Sequence, residues 1–253
     1  MAIAMEWVAS YEALSERCAR VLAQTVLLVP DAKVALATGF SPRGAYALFV
    51  EMVKEQRLDV SRVIWIKLDE WVGLPPENEA TCEAFLSKAL LDPLGIAPQN
   101  LLGMHPLCGD PQAECDRVSR EIARLGGIDL VILGVGINGH LGLNEPGESL
   151  PATAHVTVLA PQSAAHAMLT GASNPVTHGM TLGLAELLAA RRALLLATGE
   201  GKEEAVNYLR KGLISTRWPV SMLHLHADAM CLADASAVRR AAATTDGPNA
   251  ASV

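Results

Sequence analysis

The sequence predicts an α/β fold in which a mainly parallel sheet lies between layers of helices. Short apolar runs without polar alternation recur at "KVALA" (33–37), "VIWIKL" (63–68), "DLVILGV" (129–135), "ALLLA" (193–197) and "VSMLHL" (220–225), as expected of strands buried on both faces. Amphipathic stretches lie between them at "RGAYALFVEMVKEQ" (43–56), "ATCEAFLSKALL" (80–91), "AECDRVSREIARL" (113–125) and "EEAVNYLRK" (203–211), the β-α rhythm of a parallel sheet covered by helices. A chain of 253 residues, 51% hydrophobic and 19% charged, is long enough to bury the core such a sheet needs.

Ser10 is placed to cap a first helix that carries Leu14, Cys18, Val21 and Leu22 on one face and ends near Pro30. The first apolar run leads into "ATGFSPRG", where Thr38, Gly39 and Ser41 precede Pro42, a residue suited to the first position of a helix. A turn of this composition offers unpaired helix N–H groups to an anion; a simple N-cap by Ser41 is the competing explanation. The next run ends in "KLDEWVGLP", which brings the adjacent carboxylates Asp69 and Glu70 to the carboxyl edge of the sheet, where ligands bind in such folds. Neighbours on a strand point to opposite sides, so at most one of the two is expected to face a ligand. A partly desolvated carboxylate there suits removal of a proton beside a carbonyl.

The stretch "LGVGINGHLGLNEP" (133–146) contains a Gly134-x-Gly136-x-x-Gly139 run after an apolar strand. A dinucleotide fingerprint would need a helix opening at Gly139 and an acid about 20 residues on. Gly142, Asn144 and Pro146 oppose the helix, and "HVTVLAP" offers no carboxylate. The segment reads instead as a rigid loop presenting Asn138, His140 and Glu145 at a strand end. A second anion turn, "ATGEGK" (197–202), sets Lys202 at the start of a helix, where the dipole disfavours a cation unless an anion accompanies it. His224 and His226 would share one side of a strand without an acid or cysteine companion, and are read as structural. Residues 1–240 are expected to form one domain, with 241–253 a disordered tail poor in bulky side chains.

A net charge of −7 without clustered Lys and Arg argues against a nucleic-acid surface, so an anionic ligand must be held locally. Five cysteines (Cys18, Cys82, Cys108, Cys115 and Cys231), an odd number without C-x-x-C or zinc spacing, lead us to expect a reduced, cytoplasmic compartment. No apolar run approaches the ~18 residues of a membrane span, so no membrane partner is expected.

At this point the motifs carry a resemblance. "LDEWVGLP" and "GVGINGHLGLNEPGESL" resemble the two signature motifs of the glucosamine-6-phosphate deaminase/isomerase family, and "ATGFSP" and "TGEGK" fall where its phosphate loops fall. The likeness runs in order over residues 10 to 232, and the wording "NGHLGLNEPGES" is most similar to the galactosamine-6-phosphate deaminase/isomerase branch. The resemblance implies a three-layer, Rossmann-like domain with no metal and no redox cofactor. It implies conversion of a 2-amino-2-deoxy-hexose 6-phosphate to a ketose 6-phosphate and ammonium. Under it, Asp69 moves the proton between C2 and C1, and His140 handles the ring-oxygen proton with support from Glu145 and Asn138. Thr38, Gly39, Phe40, Ser41, His166 and Lys202 would line the phosphate end, and Glu70, Gly136 and Gly139 the substrate site.

Four positions depart from the family pattern. Asn138 stands where an Asp is common, able to fix the imidazole but not to stabilise its charge. Phe40 stands where a glycine is frequent, and His166 where an arginine supplements phosphate binding, with Arg43 a candidate to replace it. Glu148, His155 and Thr157 occupy the region of an amino-sugar effector site. Two other readings stay open: a 6-phosphogluconolactonase, which shares the "GxGxxGH" core but continues toward "LFPG", and a sugar-phosphate-binding regulator without turnover. A homo-oligomer is compatible with the sequence and not required by it.

Overall fold

The computed structural model describes residues 3–170 and 175–238. In chain order the elements are β1 (Ala4–Val8), α1 (Tyr11–Leu28), β2 (Lys33–Leu36), α2 (Phe40–Gln56), β3 (Ile64–Lys67), β4 (Asp69–Trp71), α3 (Cys82–Leu86), α4 (Asp92–Leu94), β5 (Leu101–Leu102), α5 (Pro111–Arg124), β6 (Leu130–Gly134), β7 (His155–Val158), α6 (Pro161–Ala164), β8 (His178–Thr181), α7 (Leu184–Leu188), β9 (Arg192–Ala197), α8 (Glu203–Arg210) and β10 (Ala229–Asp234).

Seven strands form one parallel sheet in the order β1-β10-β9-β6-β2-β3-β5. The middle of the sheet is apolar because both its faces are covered. On β6, Leu130 and Ile132 join Leu14 of α1 and Phe49 of α2 in one core, while Val131 and Leu133 join Val118 of α5 and Val206 of α8 in the other. The result is the α/β sandwich expected from the sequence. Ser10 caps α1 as anticipated, accepting from the Ala13 N–H at 3.3 Å.

Several local expectations need correction. "VSMLHL" is not a strand but part of a 3-10 turn, Pro219–Leu225, with Pro219 at its first position; an apolar run of six residues fits either state. The sheet's strand there is β10, "AMCLAD", and its edge strand is β1 near the N-terminus, paired from Ala4↔Met230 to Val8↔Asp234. Gly39 rather than Ser41 is the N-cap of α2, so Pro42 is its third residue and not its first. The stretch 80–91 is split by a π-helical turn over Ser87–Leu91. A second, antiparallel sheet, β4-β8-β7, lies at the carboxyl edge of the first and carries Asp69 opposite Thr181. The expected tail 241–253 lies outside the described residues.

Candidate active site

A cavity of about 320 Å³ opens at the carboxyl ends of β2, β6 and β9. Its walls come from the loops that follow those strands, from Asp69 and Trp71 of the small sheet, and from Gln162, Ser163 and His166 around α6.

Asp69 lines the cavity yet is only 8% exposed. Burial raises its pKa to about 6, helped by the charge of Glu70 and opposed by the Cys82 thiol, His140 and Lys67. A carboxylate in that state takes and returns protons near neutrality. Glu70 points away, as alternation along a strand requires. It is fully buried and accepts from Lys67 Nζ at 2.8 Å and from the backbone N–H groups of Trp71, Cys82 and Glu83. It is absent from the cavity wall, which corrects the expectation that it lines the substrate site: it fastens the first turn of α3. Lys67 pairs with Glu83 as well, at 2.9 Å. Burial works against the Lys67 ammonium, but the two carboxylates outweigh it and hold its pKa above the usual value.

The loop after β6 is built around His140. Gly136 N–H donates to the His140 carbonyl, and a side chain at Gly136 would come within 2.5 Å of the imidazole, which lies against the bare backbone. Gly139, at φ +82°, also has no room for a side chain because Trp218 stands 2.7 Å from where its Cβ would be. Gly136 borders the cavity; Gly139 does not, and its role is to let the chain turn. Asn144 anchors the far end, donating to the Leu141 and Leu182 carbonyls at 2.8 Å each.

His140 Nδ1 stands 3.4 Å from Glu145 Oε2 and 3.3 Å from Ser163 Oγ. Burial would raise the Glu145 pKa, but hydrogen bonds and charge from His140, with Ser163 and Asn138, outweigh it and hold the carboxyl at about 2. Glu145 is therefore ionised at neutral pH and draws the imidazole proton to Nδ1, leaving Nε2 to act in the cavity. Asn138 does not accept from the imidazole, as the sequence suggested it could. Its Oδ1 accepts the His140 backbone N–H at 3.2 Å and its Nδ2 donates to Glu145 Oε2 at 2.8 Å. Only this amide orientation serves both partners.

Another part of the cavity wall is suited to an anion. Thr38, Phe40 and Ser41 line it at the start of α2, whose N-cap Gly39 has φ +94° and no side-chain cap. Lys202 lines it from the loop before α8, and burial lowers the pKa of its ammonium. His166 accepts the Met168 N–H through Nδ1 at 3.2 Å, and its Nε2 stands 3.6 Å from where a Cβ on Gly39 would be. Burial, with His140 and Lys202 nearby, lowers the His166 pKa, so the ring is a neutral Nε2–H donor. Phe40, where the family pattern often has glycine, is exposed and stacks on Tyr11 with ring centroids 4.8 Å apart. Arg43 lies over the Phe85 ring and borders a separate groove, so it does not replace the arginine of the family pattern.

Sequence reasoning missed three contributors. Cys82 contacts Asp69, Ser163 contacts His140, and Asp234 of β10 accepts from Thr198 Oγ1 while Ser236 links it to the Gly199 N–H, steadying the loop of Lys202. None sits in a motif; their signal is spatial. Among the described residues no group of side chains is arranged to hold a metal ion, and no helix is long and apolar enough to cross a membrane.

Comparison with known proteins fits this geometry. The family model for glucosamine-6-phosphate isomerases/6-phosphogluconolactonase matches residues 8–232. The Escherichia coli K12 protein named "Putative deaminase AgaI" is 44% identical over 228 residues, covering 90% of each chain. A glucosamine-6-phosphate deaminase of Halothermothrix orenii is 36% identical over 230 residues, covering 90% of this chain and 95% of the relative. A solved structure of a monomeric glucosamine-6-phosphate deaminase superposes with a TM-score of 0.89 at 32% identity, covering 94% of this chain and 100% of the other. The 6-phosphogluconolactonase of Trypanosoma cruzi, TM-score 0.73 at 18% identity, shares the fold. The chain belongs to the glucosamine-6-phosphate isomerase/6-phosphogluconolactonase family.

Proposed function

We propose that this protein deaminates and isomerises a 2-amino-2-deoxy-hexose 6-phosphate, galactosamine 6-phosphate in preference to glucosamine 6-phosphate, giving a ketose 6-phosphate and ammonium. The observation that carries the reading is one cavity that joins a buried carboxylate of pKa about 6, Asp69, to the His140–Glu145 pair, with Lys202 and the open end of α2 in the same lining. The phosphate is bound by Lys202, His166 Nε2–H, Ser41 and the N–H groups behind Gly39. His140, polarised by Glu145, carries the ring-oxygen proton during opening. Asp69 takes the proton from C2 and returns it to C1 through an enolamine; water then displaces the C2 nitrogen, which leaves as ammonium.

Hydrolysing a lactone needs an activated water but no base for a carbon-bound proton, so Asp69 favours the deaminase over the lactonase. The preference for galactosamine 6-phosphate rests on the wording of residues 138–149. The names of the relatives support the amino-sugar class. The test is ammonium release from galactosamine 6-phosphate and glucosamine 6-phosphate beside hydrolysis of 6-phosphogluconolactone. Turnover of the lactone alone would return the lactonase reading, and binding without turnover the regulator.

A further inference from the structure

We propose that Cys82 is the positioning residue of the Asp69 base: its thiol holds one carboxylate oxygen by a weak hydrogen bond, fixing the group's direction while leaving it basic. The inference rests on the deaminase reading above. Cys82 Sγ lies 3.5 Å from Asp69 Oδ1 and is the one side-chain donor to that carboxylate among the described residues. The sulfur in turn receives the Thr38 hydroxyl at 3.4 Å, so its own proton is directed to Asp69. Oδ2 is turned toward the loop of His140, 3.6 Å from where a Cβ on Gly142 would stand.

The thiol is held in place by the cluster beneath it. The Cys82 N–H donates to Glu70 Oε1 at 2.9 Å, Thr81 caps α3 by accepting from the Ala84 N–H at 3.0 Å, and Lys67 ties Glu70 to Glu83. Burial raises the Cys82 pKa well above the usual thiol value, so the group remains a donor. Other charges also face Asp69: Glu70 raises its pKa, while His140 and Lys67 lower it; the buried Tyr46 phenol of α2 stays neutral. A hydroxyl or amide donor at Oδ1 would favour the ionised form more strongly and weaken the base; a thiol is a poor donor and does so least.

The test compares the whole protein with Cys82→Ala and Cys82→Ser, following the Asp69 carboxyl by ¹³C NMR titration and kcat and KM for ammonium release. In Cys82→Ala the Asp69 midpoint should rise by about half a pH unit or more, and kcat should fall by roughly 3- to 10-fold with KM within about twofold. Cys82→Ser restores a donor, and a stronger one, so it should bring the midpoint below the wild-type value by about half a pH unit while recovering most of kcat. If Cys82→Ala does not fold, the serine variant alone carries the test through its midpoint. The same Asp69 midpoint in every variant that folds overturns the proposal, as does a loss of kcat that serine does not recover. A wild type that releases no ammonium would sink the deaminase reading, while the NMR midpoints would still decide whether Cys82 holds Asp69.

Discussion

Asn138 donates from Nδ2 to Glu145 Oε2 at 2.8 Å, the same oxygen that stands 3.4 Å from His140 Nδ1. The amide thus steadies the carboxylate that orients the imidazole. Asn138→Asp would set two carboxylates at hydrogen-bond distance, and one of them must then bind a proton or the imidazole must be charged. We expect the alkaline limb of the pH–rate profile to move to higher pH by about one unit, with ammonium release at pH 7 within roughly tenfold of wild type. An unmoved limb would show that the two side chains do not share this contact in solution.

The pKa of Asp69 sets an acid limit. The carboxyl sits at about 6, above its ordinary value, so the base is present above pH 6 and lost below it. kcat/KM should fall about tenfold for each pH unit below roughly 6. A profile still flat at pH 5 would contradict this assignment.

Lys202 lines the cavity and is the cation we propose for the phosphate. Lys202→Ala should weaken binding of the sugar phosphate by about a hundredfold, the worth of one or two charge-assisted hydrogen bonds, and leave the unphosphorylated amino sugar unaffected. Calorimetry with both ligands checks it; an equal loss for the two would remove the phosphate from this wall.

Glu70 is read as structural. Glu70→Gln leaves the buried Lys67 ammonium with Glu83 alone, so urea denaturation should show a loss of about 2–4 kcal/mol. Turnover per folded molecule should stay within about fivefold of wild type if the Cys82 turn persists. A collapse of turnover at unchanged stability would instead make Glu70 a ligand of the substrate.

Much of this arrangement was legible in the sequence because buried parallel strands leave unbroken apolar runs and the segments after them hold the polar residues. The placement of Asp69, His140, Glu145 and Lys202 beyond strand ends was read that way. The small sheet was not, since β4, β7 and β8 are three or four residues long and mix polar with apolar side chains. Their pairing is fixed across the chain, as in Asp69↔Thr181, and not by local pattern. Glu70 entered the substrate site only through the family resemblance; strand alternation allowed just one of the adjacent pair to face a ligand, and it turns Glu70 to the Lys67 side. Cys82 was hidden inside an amphipathic stretch.

The most direct measurement is turnover of Asp69→Asn with the amino-sugar phosphate in deuterated water. The amide is isosteric and leaves the phosphate wall intact, so ligand affinity should stay within about threefold, while ammonium release and deuterium incorporation at C1 of the ketose should fall together by at least about 10²–10⁴-fold. Near-normal turnover with deuterium still entering C1 would contradict the account and move the proton transfer to another group.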